Sequence, residues 1–419
     1  MTGLRPSLTL FGGTVLFLNI VVGAGLLVLP GLVYQRVGAI GLTSWLLCAL
    51  AALPLLLVFI ALGQAHPNAG GISHYALKAF GSLGRRIAAV LFIGAVVFGL
   101  PSIAMTGGYY AHAAWGLSPH LTAVALLMVS CLLHALPGRQ VEVSAKLVGS
   151  TLIVVLVALL IIGALAAPSA DAQPWQWPQT HADLLLAFSP FMMIFFAFTG
   201  WEVASHAAEE FRDARRDFPR AMLLSFCAAV ALYAAIAWLV QRAAPTSDFE
   251  APFIAITRPV LGAHAHRWVA AVALLLILAN LFGAIWGVSR LVFSLARDGV
   301  IPRGLASTRD GTPLRAVVAT LAALLLVLAL DWRGWLSVEQ MLALAGQNFL
   351  LLYGVAAAAL FVLDKRWFTR ALALVALAIT VAVLVVAGVH MLYPAGLVAL
   401  AVLLQFSARG HSQHKEDGQ

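Results

Sequence analysis

Two stretches of the sequence place glycine beside residues that can bind a charged ligand. The first covers residues 21–25 and reads VVGAG, and the second covers residues 196–202 and reads FAFTGWE. Both lie near the middle of a long apolar run, where glycine lets a helix unwind. The N–H groups freed at the start of the following half-helix can hold a carboxylate. Because Gly-x-Gly is also typical of helix packing, the first stretch alone leaves packing and ligand binding open.

Glu202 ends the second stretch and is the ionisable side chain best placed for chemistry inside an apolar run. A charge in a membrane span is costly and usually faces a partner or a water-filled pathway. A carboxylate that titrates near the working pH can carry a proton, and His206 lies one turn later on the same helical face. The alternative is that Glu202 caps or braces a neighbouring helix and that His206 lies at the cytoplasmic mouth.

Weaker candidates occur in two other apolar runs. Asn280 and Trp286 share one run, and Tyr109 is followed by Tyr110 in another. These side chains could line a pocket or form a gate. Polar and aromatic residues in helices more often serve packing, so the two interpretations stand side by side.

The sequence lacks the patterns of an enzyme or a metalloprotein. It contains no Walker loop, no HExxH, no Gly-x-Ser-x-Gly and no carboxylate cluster with metal-ligand spacing. The three cysteines lie singly in apolar runs, without the spacing of a zinc site. We therefore predict no catalytic residue, no metal and no cofactor, and an ATP-driven pump is disfavoured.

The amino-acid composition indicates the class of protein to which these residues belong. Of the 419 residues, 62% are hydrophobic and 10% are charged, whereas soluble domains contain about 45–50% apolar and about 25% charged residues. Too few polar residues remain to cover a soluble globule of this size. The chain is therefore predicted to be an all-α, multi-pass membrane protein, whose net charge of +8 marks loops rather than a nucleic-acid surface.

Twelve apolar runs are candidates for spanning helices. They cover residues 8–33, 40–63, 86–114, 121–137, 145–167, 184–206, 220–241, 267–297, 314–332, 338–363, 370–390 and 393–408. With the N-terminus on the inner side, 19 of the 25 Lys and Arg residues lie on that side and five on the outer side. Because cytoplasmic loops carry the excess of positive charge, both termini are predicted to be cytoplasmic.

The two glycine-containing stretches fall in the first and sixth runs, five runs apart. Interrupted helices at corresponding positions of two halves are typical of transporters built from inverted repeats, with the substrate near the middle of the membrane. We therefore predict a single transmembrane domain over residues 1–419. Its first repeat covers about residues 8–167, its second about residues 184–363, and two extra helices cover about residues 370–408.

Four blocks of the sequence resemble the amino acid–polyamine–organocation (APC) superfamily of secondary transporters, and the likeness covers nearly the whole chain. The blocks lie within residues 23–30, 67–81, 196–221 and 289–302. Within the superfamily the chain is most similar to the bacterial inner-membrane exporters of methionine and branched-chain amino acids. The resemblance implies a LeuT-like fold of twelve helices, with a five-plus-five inverted repeat, broken helices 1 and 6, and alternating access.

The resemblance also implies how a substrate would bind. Seven positions are implied to bind it: Val21, Gly23, Ala24, Gly25, Phe196, Thr199 and Gly200. Backbone N–H groups of the first stretch would hold the carboxylate, and carbonyls near Val21 and around Phe196 and Thr199 would accept the ammonium. Phe196 also matches an aromatic position that covers substrate in relatives, and Trp201, Trp286 and Tyr109 are weaker pocket or gate positions.

One position departs from the proton-coupled members of the superfamily. Those relatives often carry a lysine midway along helix 5, whereas residues 151–162 contain no charge and Lys146 lies too near the cytoplasmic end. Exchange, or proton coupling through Glu202, are therefore the alternatives for energy coupling. Because no other acidic side chain falls near the predicted pocket, a cationic substrate would lack a partner there.

These observations predict a secondary active transporter of small neutral, mostly apolar amino acids such as methionine, leucine, isoleucine and valine. It would work in the bacterial inner membrane by efflux or proton coupling. The alternatives are an exchanger, an importer of polyamines or aromatic amino acids, and a membrane sensor that binds without transport. The expected partners are the amino acid, protons and the lipid bilayer, with no nucleic acid.

Overall fold

The computed structural model describes residues 8–66, 71–134, 154–166, 168–297, 301–308, 313–387 and 392–403. Regular structure in these ranges is helical, apart from one isolated backbone bridge between Leu8 and Phe211. The helices are α1 Leu10–Val21, α2 Leu29–Val37, α3 Gly41–Ala65, α4 Gly71–Trp115, α5 Pro119–Leu133, α6 Val154–Leu165, α7 His181–Phe188, α8 Phe191–Ala197, α9 Trp201–Ala204, α10 Asp217–Ala243, α11 Pro252–Leu261, α12 Ala265–Arg297, α13 Leu314–Trp332, α14 Val338–Leu363, α15 Trp367–Ala387 and α16 Leu392–Leu403. Short 3-10 turns cover Ala24–Leu27, Gly38–Ile40, Ser205–Glu210, Gly262–His264 and Arg303–Leu305.

Seven helical stretches in these ranges are long and apolar enough to cross a bilayer. They are Leu29–Ala65, Gly71–Trp115, Asp217–Ala243, His266–Arg297, Leu314–Trp332, Val338–Leu363 and Trp367–Val385. The pair His181–Phe188 and Phe191–Ala204, bent by 45°, gives an eighth candidate. Each of the twelve predicted runs contains a helix among the described residues, but several of these helices are short, so twelve crossings stay a prediction.

Some predicted features lie partly outside the described residues. These are residues 67–70 of the inner-loop block, 135–137, 145–153 and 167 in two predicted runs, 298–300 in the fourth block, and 388–390 and 404–408 near the C-terminus. The side chains of Ala24 and His206 are likewise outside the described part.

Two local features differ from the apolar pattern. Helix α4 begins at Gly71 rather than near residue 86, because the polar residues that precede the span are helical as well. Gly81, with φ of 71°, separates this leading segment from the span, and glycine adopts such a conformation without a Cβ penalty. Helix α11 lies in a loop where no run was predicted, and it begins with Pro252, a residue favoured in the first helical turn.

Helix α14 packs against α3, α4, α8 and α15. Glycine permits the close approach to α8, because a Cβ at Gly346 would overlap the carbonyl oxygen of Met192. Small residues at such contacts let the backbones of neighbouring membrane helices come together. This packing fixes the position of α8, which leads into the second glycine-containing stretch.

The end of the bundle that carries Leu8, here called the N-terminal face, is tied by backbone and aromatic contacts. Leu8 donates its N–H to the carbonyl of Glu210 at 2.9 Å, and Arg212 donates its N–H to the carbonyl of Leu8 at 3.1 Å. The Phe17 ring on α1 lies 5.7 Å from that of Phe211, centroid to centroid. These contacts join the start of α1 to the segment that follows α9.

The opposite face is tied by a charged side chain. Arg36 in the last turn of α2 forms an ion pair with Glu339 in the first turn of α14. Its Nε also donates to the hydroxyl of Ser189, which lies at the bend between α7 and α8, at 3.1 Å. Arg36 therefore connects α2 to two other elements at this end of the bundle.

Candidate functional site

The first helix stops within its predicted run, where the glycine pair occurs. Helix α1 ends at Val21, the 3-10 turn Ala24–Leu27 follows, and α2 begins at Leu29. Gly23 donates its N–H to the carbonyl of Val21 at 2.9 Å, which turns the chain at this point. The first N–H groups of a helical turn have no partner within that turn. Those at the start of the 3-10 turn therefore lie at the break without a partner inside the turn.

The sixth predicted run is also interrupted at its glycine. Helix α8 ends at Ala197 and α9 begins at Trp201. Gly200 between them has φ of 111°, a conformation that side chains with a Cβ rarely adopt. The Thr199 hydroxyl donates to the carbonyl of Phe196 at 2.8 Å and so closes the end of α8.

The two breaks contact each other. A Cβ at Gly200 would lie 3.3 Å from the carbonyl oxygen of Ile20 and 3.3 Å from Cγ2 of Val21. Tyr233 of α10 connects them as well, since its hydroxyl lies 2.8 Å from the carbonyl oxygen of Ala197 and 3.3 Å from that of Val21. The fold therefore places the interrupted ends of α1 and α8 side by side, with one phenol between them.

A second tyrosine holds the far end of the first break. The Tyr110 hydroxyl on α4 donates to the carbonyl of Leu27 at 2.9 Å. Its neighbour Tyr109, which the sequence predicts as a weak pocket residue, is half-buried. Of these two tyrosines, Tyr110 is the one that reaches the interrupted helix.

The Phe196 ring lies directly against the first break. A Cβ at Gly25 would lie 3.2 Å from Cε1 of this ring, and a Cβ at Gly99 on α4 would lie 2.8 Å from its Cε2. Phe349 of α14 lies 6.2 Å away, centroid to centroid. A molecule bound at Gly25 would therefore touch the Phe196 ring.

Glu202 is buried at the start of α9, with 3% of its surface exposed. Its Oε2 accepts the N–H of Gly200 at 2.9 Å and the hydroxyl of Tyr353 on α14 at 2.6 Å. The carboxylate thus caps the half-helix and braces a neighbouring helix, the structural alternative that the sequence left open. Its part in proton coupling stays a prediction.

The two tryptophans predicted for a pocket or gate have different surroundings. Trp201 is fully buried, with its ring 5.9 Å from that of Phe226, and its Nε1 has no hydrogen-bond partner in the part of the chain that the structure describes. Trp286 on α12 is half-buried, and the guanidinium carbon of Arg290 lies 3.6 Å from its ring centroid. Trp201 therefore packs within the bundle, and Trp286 makes a cation–π contact.

The carbonyls predicted to receive an ammonium already accept hydrogen bonds. That of Val21 accepts the Gly23 N–H and the Tyr233 hydroxyl, and that of Phe196 accepts the N–H of Thr199 at 3.3 Å as well as its hydroxyl. The bond from Tyr233 to Val21 is long at 3.3 Å, and the same hydroxyl has a shorter bond to another carbonyl. Of the two donors to the Val21 carbonyl, Tyr233 is therefore more weakly held than the Gly23 N–H.

A cavity of about 1090 Å³ lies beside the first halves of α8 and α14, on the side of the opposite face. Arg36, Ser189 and Glu339 are among its charged and polar lining residues, and the buried Met192 and Gln347 also line it. None of the seven predicted substrate positions lines it. Because Phe196 follows Met192 by one helical turn, the cavity approaches the breaks without including them.

The described residues contain no group of three or more His, Cys, Asp or Glu side chains that could hold a metal ion. The site consists instead of backbone polar groups, aromatic rings and one carboxylate.

Three tyrosines of the site were not singled out from the sequence for the contacts they make, although Tyr110 was noted beside Tyr109. Tyr110, Tyr233 and Tyr353 lie in apolar helices and are almost completely buried. A phenol hydroxyl needs a hydrogen-bond partner when it is buried, and an interrupted helix supplies spare carbonyls. A tyrosine inside an apolar run was therefore the sequence signal that could have indicated these hydrogen bonds to the breaks.

Comparison with known proteins identifies the family. Residues 8–412 match the amino acid permease family. The chain is 29% identical to an uncharacterized amino acid permease of Bacillus subtilis, YecA, over 98% of both chains. It is 30% identical to the L-methionine/branched-chain amino acid exporter YjeH of Escherichia coli over 56% of each, and 26% identical to the branched-chain amino acid permease BcaP of Bacillus subtilis over 77% of this chain and 74% of the relative. With its interrupted helices and a family match over nearly its whole length, the chain belongs to the amino acid permease family of the APC superfamily.

Proposed function

We propose that this chain is a secondary active transporter of small neutral, mostly apolar α-amino acids. The observation that carries the proposal is the contact between the two breaks, where Gly200 meets Val21 and Tyr233 bonds both helix ends. Irregular backbone inside a membrane is tolerated only where it is packed in protein or lines a cavity. An α-amino acid carries both charges that freed N–H and carbonyl groups can satisfy.

In the proposed complex the carboxylate binds N–H groups at the first break, within residues 23–25. The ammonium binds the carbonyl of Val21, where it replaces the Tyr233 hydroxyl, and the carbonyls near Thr199. The Phe196 ring covers the substrate, because it already lies against Gly25. These contacts involve only the backbone of the amino acid, so the side chain would be selected by the surrounding apolar walls.

The charge of the site favours a neutral side chain on the substrate. Glu202 is the acidic residue at the breaks, and its Oε2 is occupied by Tyr353 and Gly200. A cationic side chain would therefore compete with two existing hydrogen bonds. The names of the Escherichia coli exporter and of the Bacillus branched-chain permease point to the same class, with methionine, leucine, isoleucine and valine as the first candidates.

Transport would proceed by alternating access between two five-helix repeats in the bacterial inner membrane. We assign the N-terminal face to the cytoplasm, since the predicted topology puts 19 of the 25 Lys and Arg residues on that side. Opening there would separate Leu8 and Phe17 from Phe211, and opening on the opposite face would separate Arg36 from Glu339.

Energy coupling has two candidate routes. Glu202 joins the second break to α14 through Tyr353, so a proton on this carboxyl would change both contacts. Exchange of one amino acid for another is the second route, because residues 151–162 carry no charge where proton-coupled relatives often have a lysine. Either route is compatible with efflux.

A binding panel with the purified protein tests the substrate class. Methionine, leucine, isoleucine and valine should compete for one saturable site, whereas arginine, putrescine and tryptophan should compete at least about tenfold more weakly, the ratio that ~1.4 kcal/mol produces. Preferential binding of putrescine or tryptophan would overturn the substrate class. Failure of every amino acid to bind would overturn the proposed function itself.

A further inference from the structure

Asn280 lies near the middle of α12 and faces the first break. A Cβ added to Gly23 would lie 3.8 Å from its Nδ2. Helix α12 also packs against the 3-10 turn Ala24–Leu27, which begins one residue later. The amide is therefore next to the backbone N–H groups that the proposed function assigns to the substrate carboxylate.

The side chain of Asn280 is half-buried and has no hydrogen-bond partner among the described residues. Other polar side chains in these helices bond to their own backbone. Ser289 donates to the carbonyl of Trp286 at 3.0 Å, and Asn348 on α14 donates to that of Leu344 at 2.8 Å. Asn280 makes no such bond, so its amide is available to a polar group bound at the first break.

We propose that Asn280 donates a hydrogen bond from Nδ2 to the α-carboxylate of the bound amino acid, as a binding and specificity residue. This inference rests on the proposed function and adds a side chain from α12 to a site otherwise built from backbone. An amide is suited to the task, because it donates to an anion without adding charge to a site that takes a net neutral zwitterion. The contact would also add a polar link, through the substrate, between α12 and the break in helix 1, which already pack against each other.

Two substitutions distinguish this role from packing when leucine is compared with leucinamide, which lacks the carboxylate. In Asn280→Ala the loss of the donor should weaken leucine binding about tenfold, because a hydrogen bond to a charged group contributes a free energy of that size. Binding of leucinamide should stay nearly unchanged, because leucinamide has no carboxylate. Asn280→Asp places a second anion at the carboxylate, so it should weaken leucine further and shift the preference toward leucinamide. Asn348→Ala is the matched control, an asparagine in another helix, and should leave the preference for leucine unchanged.

The measurement is equilibrium binding of both ligands to the purified protein in nanodiscs, with thermal unfolding of each variant as a check on folding. The quantity compared is the affinity for leucine divided by the affinity for leucinamide. A ratio that falls in Asn280→Ala and falls further in Asn280→Asp supports the contact. Equal weakening of both ligands, or no weakening of either, would overturn it. If the wild-type protein binds no amino acid, the proposed function fails, which is a different result from an unchanged ratio in a protein that binds leucine.

Discussion

Tyr353 donates its hydroxyl to Oε2 of Glu202 at 2.6 Å, and the same oxygen accepts the N–H of Gly200 at 2.9 Å. One carboxylate atom therefore links α14 to the break between α8 and α9. Removing a hydrogen-bond partner from a buried carboxylate destabilises the protein. A substitution of Glu202 would therefore affect the contact with α14 and the contact with the break.

The substitution Glu202→Gln tests whether this carboxyl carries the proton. The Gln carbonyl oxygen can still accept from Tyr353 and Gly200, so the fold should persist while titration is lost. We expect the dependence of flux on pH between about 5 and 8 to flatten. A variant with the wild-type pH profile would remove Glu202 from the coupling mechanism.

Asp364→Asn is the matched control for that experiment. Hydrogen bonds from Arg366 lower the pKa of Asp364, in the loop after α14, from its ordinary 3.8 to about 2. A depressed pKa contributes stability above the ordinary value, which is lost only as the pH falls through about 2. Asp364 therefore stays ionised across the physiological range, and its replacement should leave the pH profile of flux unchanged.

The substitution Gly25→Leu should prevent substrate binding. A Cβ at this position would already lie 3.2 Å from the Phe196 ring, so a larger side chain would occupy the space beside the break. We expect at least about a hundredfold loss of affinity, equivalent to ~2.8 kcal/mol, with normal insertion in the membrane. Gly287→Leu on α12 is the control, because a Cβ there meets nothing within 4 Å. Unchanged affinity in Gly25→Leu would contradict the site assignment.

The substitution Tyr233→Phe removes the hydroxyl that lies between the two helix ends. The carbonyls of Val21 and Ala197 would lose a donor in a buried position, which costs about 1–3 kcal/mol of stability. The midpoint of thermal unfolding should fall. Affinity for the amino acid should change less than stability, because the ammonium replaces this hydroxyl in the bound state. A loss of affinity without a loss of stability would instead make Tyr233 a direct substrate contact.

The substitution Gly13→Ala should loosen the N-terminal face. A methyl group there would overlap the Phe211 ring and push it away from α1, at a cost of about 1–3 kcal/mol. Labelling of a cysteine introduced at the buried position Ala204 should accelerate, in a background where the exposed Cys227 is replaced by serine. The control Gly12→Ala should have no effect, since its Cβ would be in ordinary contact at 3.4 Å with Thr9.

A compensating change makes this prediction specific. Adding Phe211→Leu to Gly13→Ala removes the ring that the methyl group would overlap, so the slow labelling of Ala204→Cys should return. Labelling that stays fast in the double variant would mean that the methyl group acts through another contact.

The positions of the two breaks were accessible from the sequence because glycine in the middle of an apolar run weakens the helix at membrane depth. Gly23 and Gly200 both lie at interrupted helices. The residues that form hydrogen bonds to the breaks could not be predicted from the sequence. Tyr233 and Tyr353 are far from the breaks in sequence and meet them only through packing, so a single sequence contains no information on their partners.

Helix ends were predicted less well than helix positions. Helix α4 extends to Gly71 because hydropathy registers only the apolar part of a helix, and α11 lies in a loop that has no long apolar run. The pairing of Arg36 with Glu339 also depends on tertiary structure, since more than 300 positions separate them. Periodicity and composition cannot indicate such contacts.

The most direct test of the central claim is uptake of labelled leucine and methionine into proteoliposomes, with an imposed pH gradient or with internal amino acid as counter-substrate. We expect saturable uptake that Gly25→Leu abolishes. Acceleration by the pH gradient alone would assign coupling to protons and leave Glu202 to be tested by Glu202→Gln, and acceleration only by internal substrate would assign exchange. Absence of flux under both conditions, from protein that inserts and folds normally, would contradict the assignment as a transporter of these amino acids.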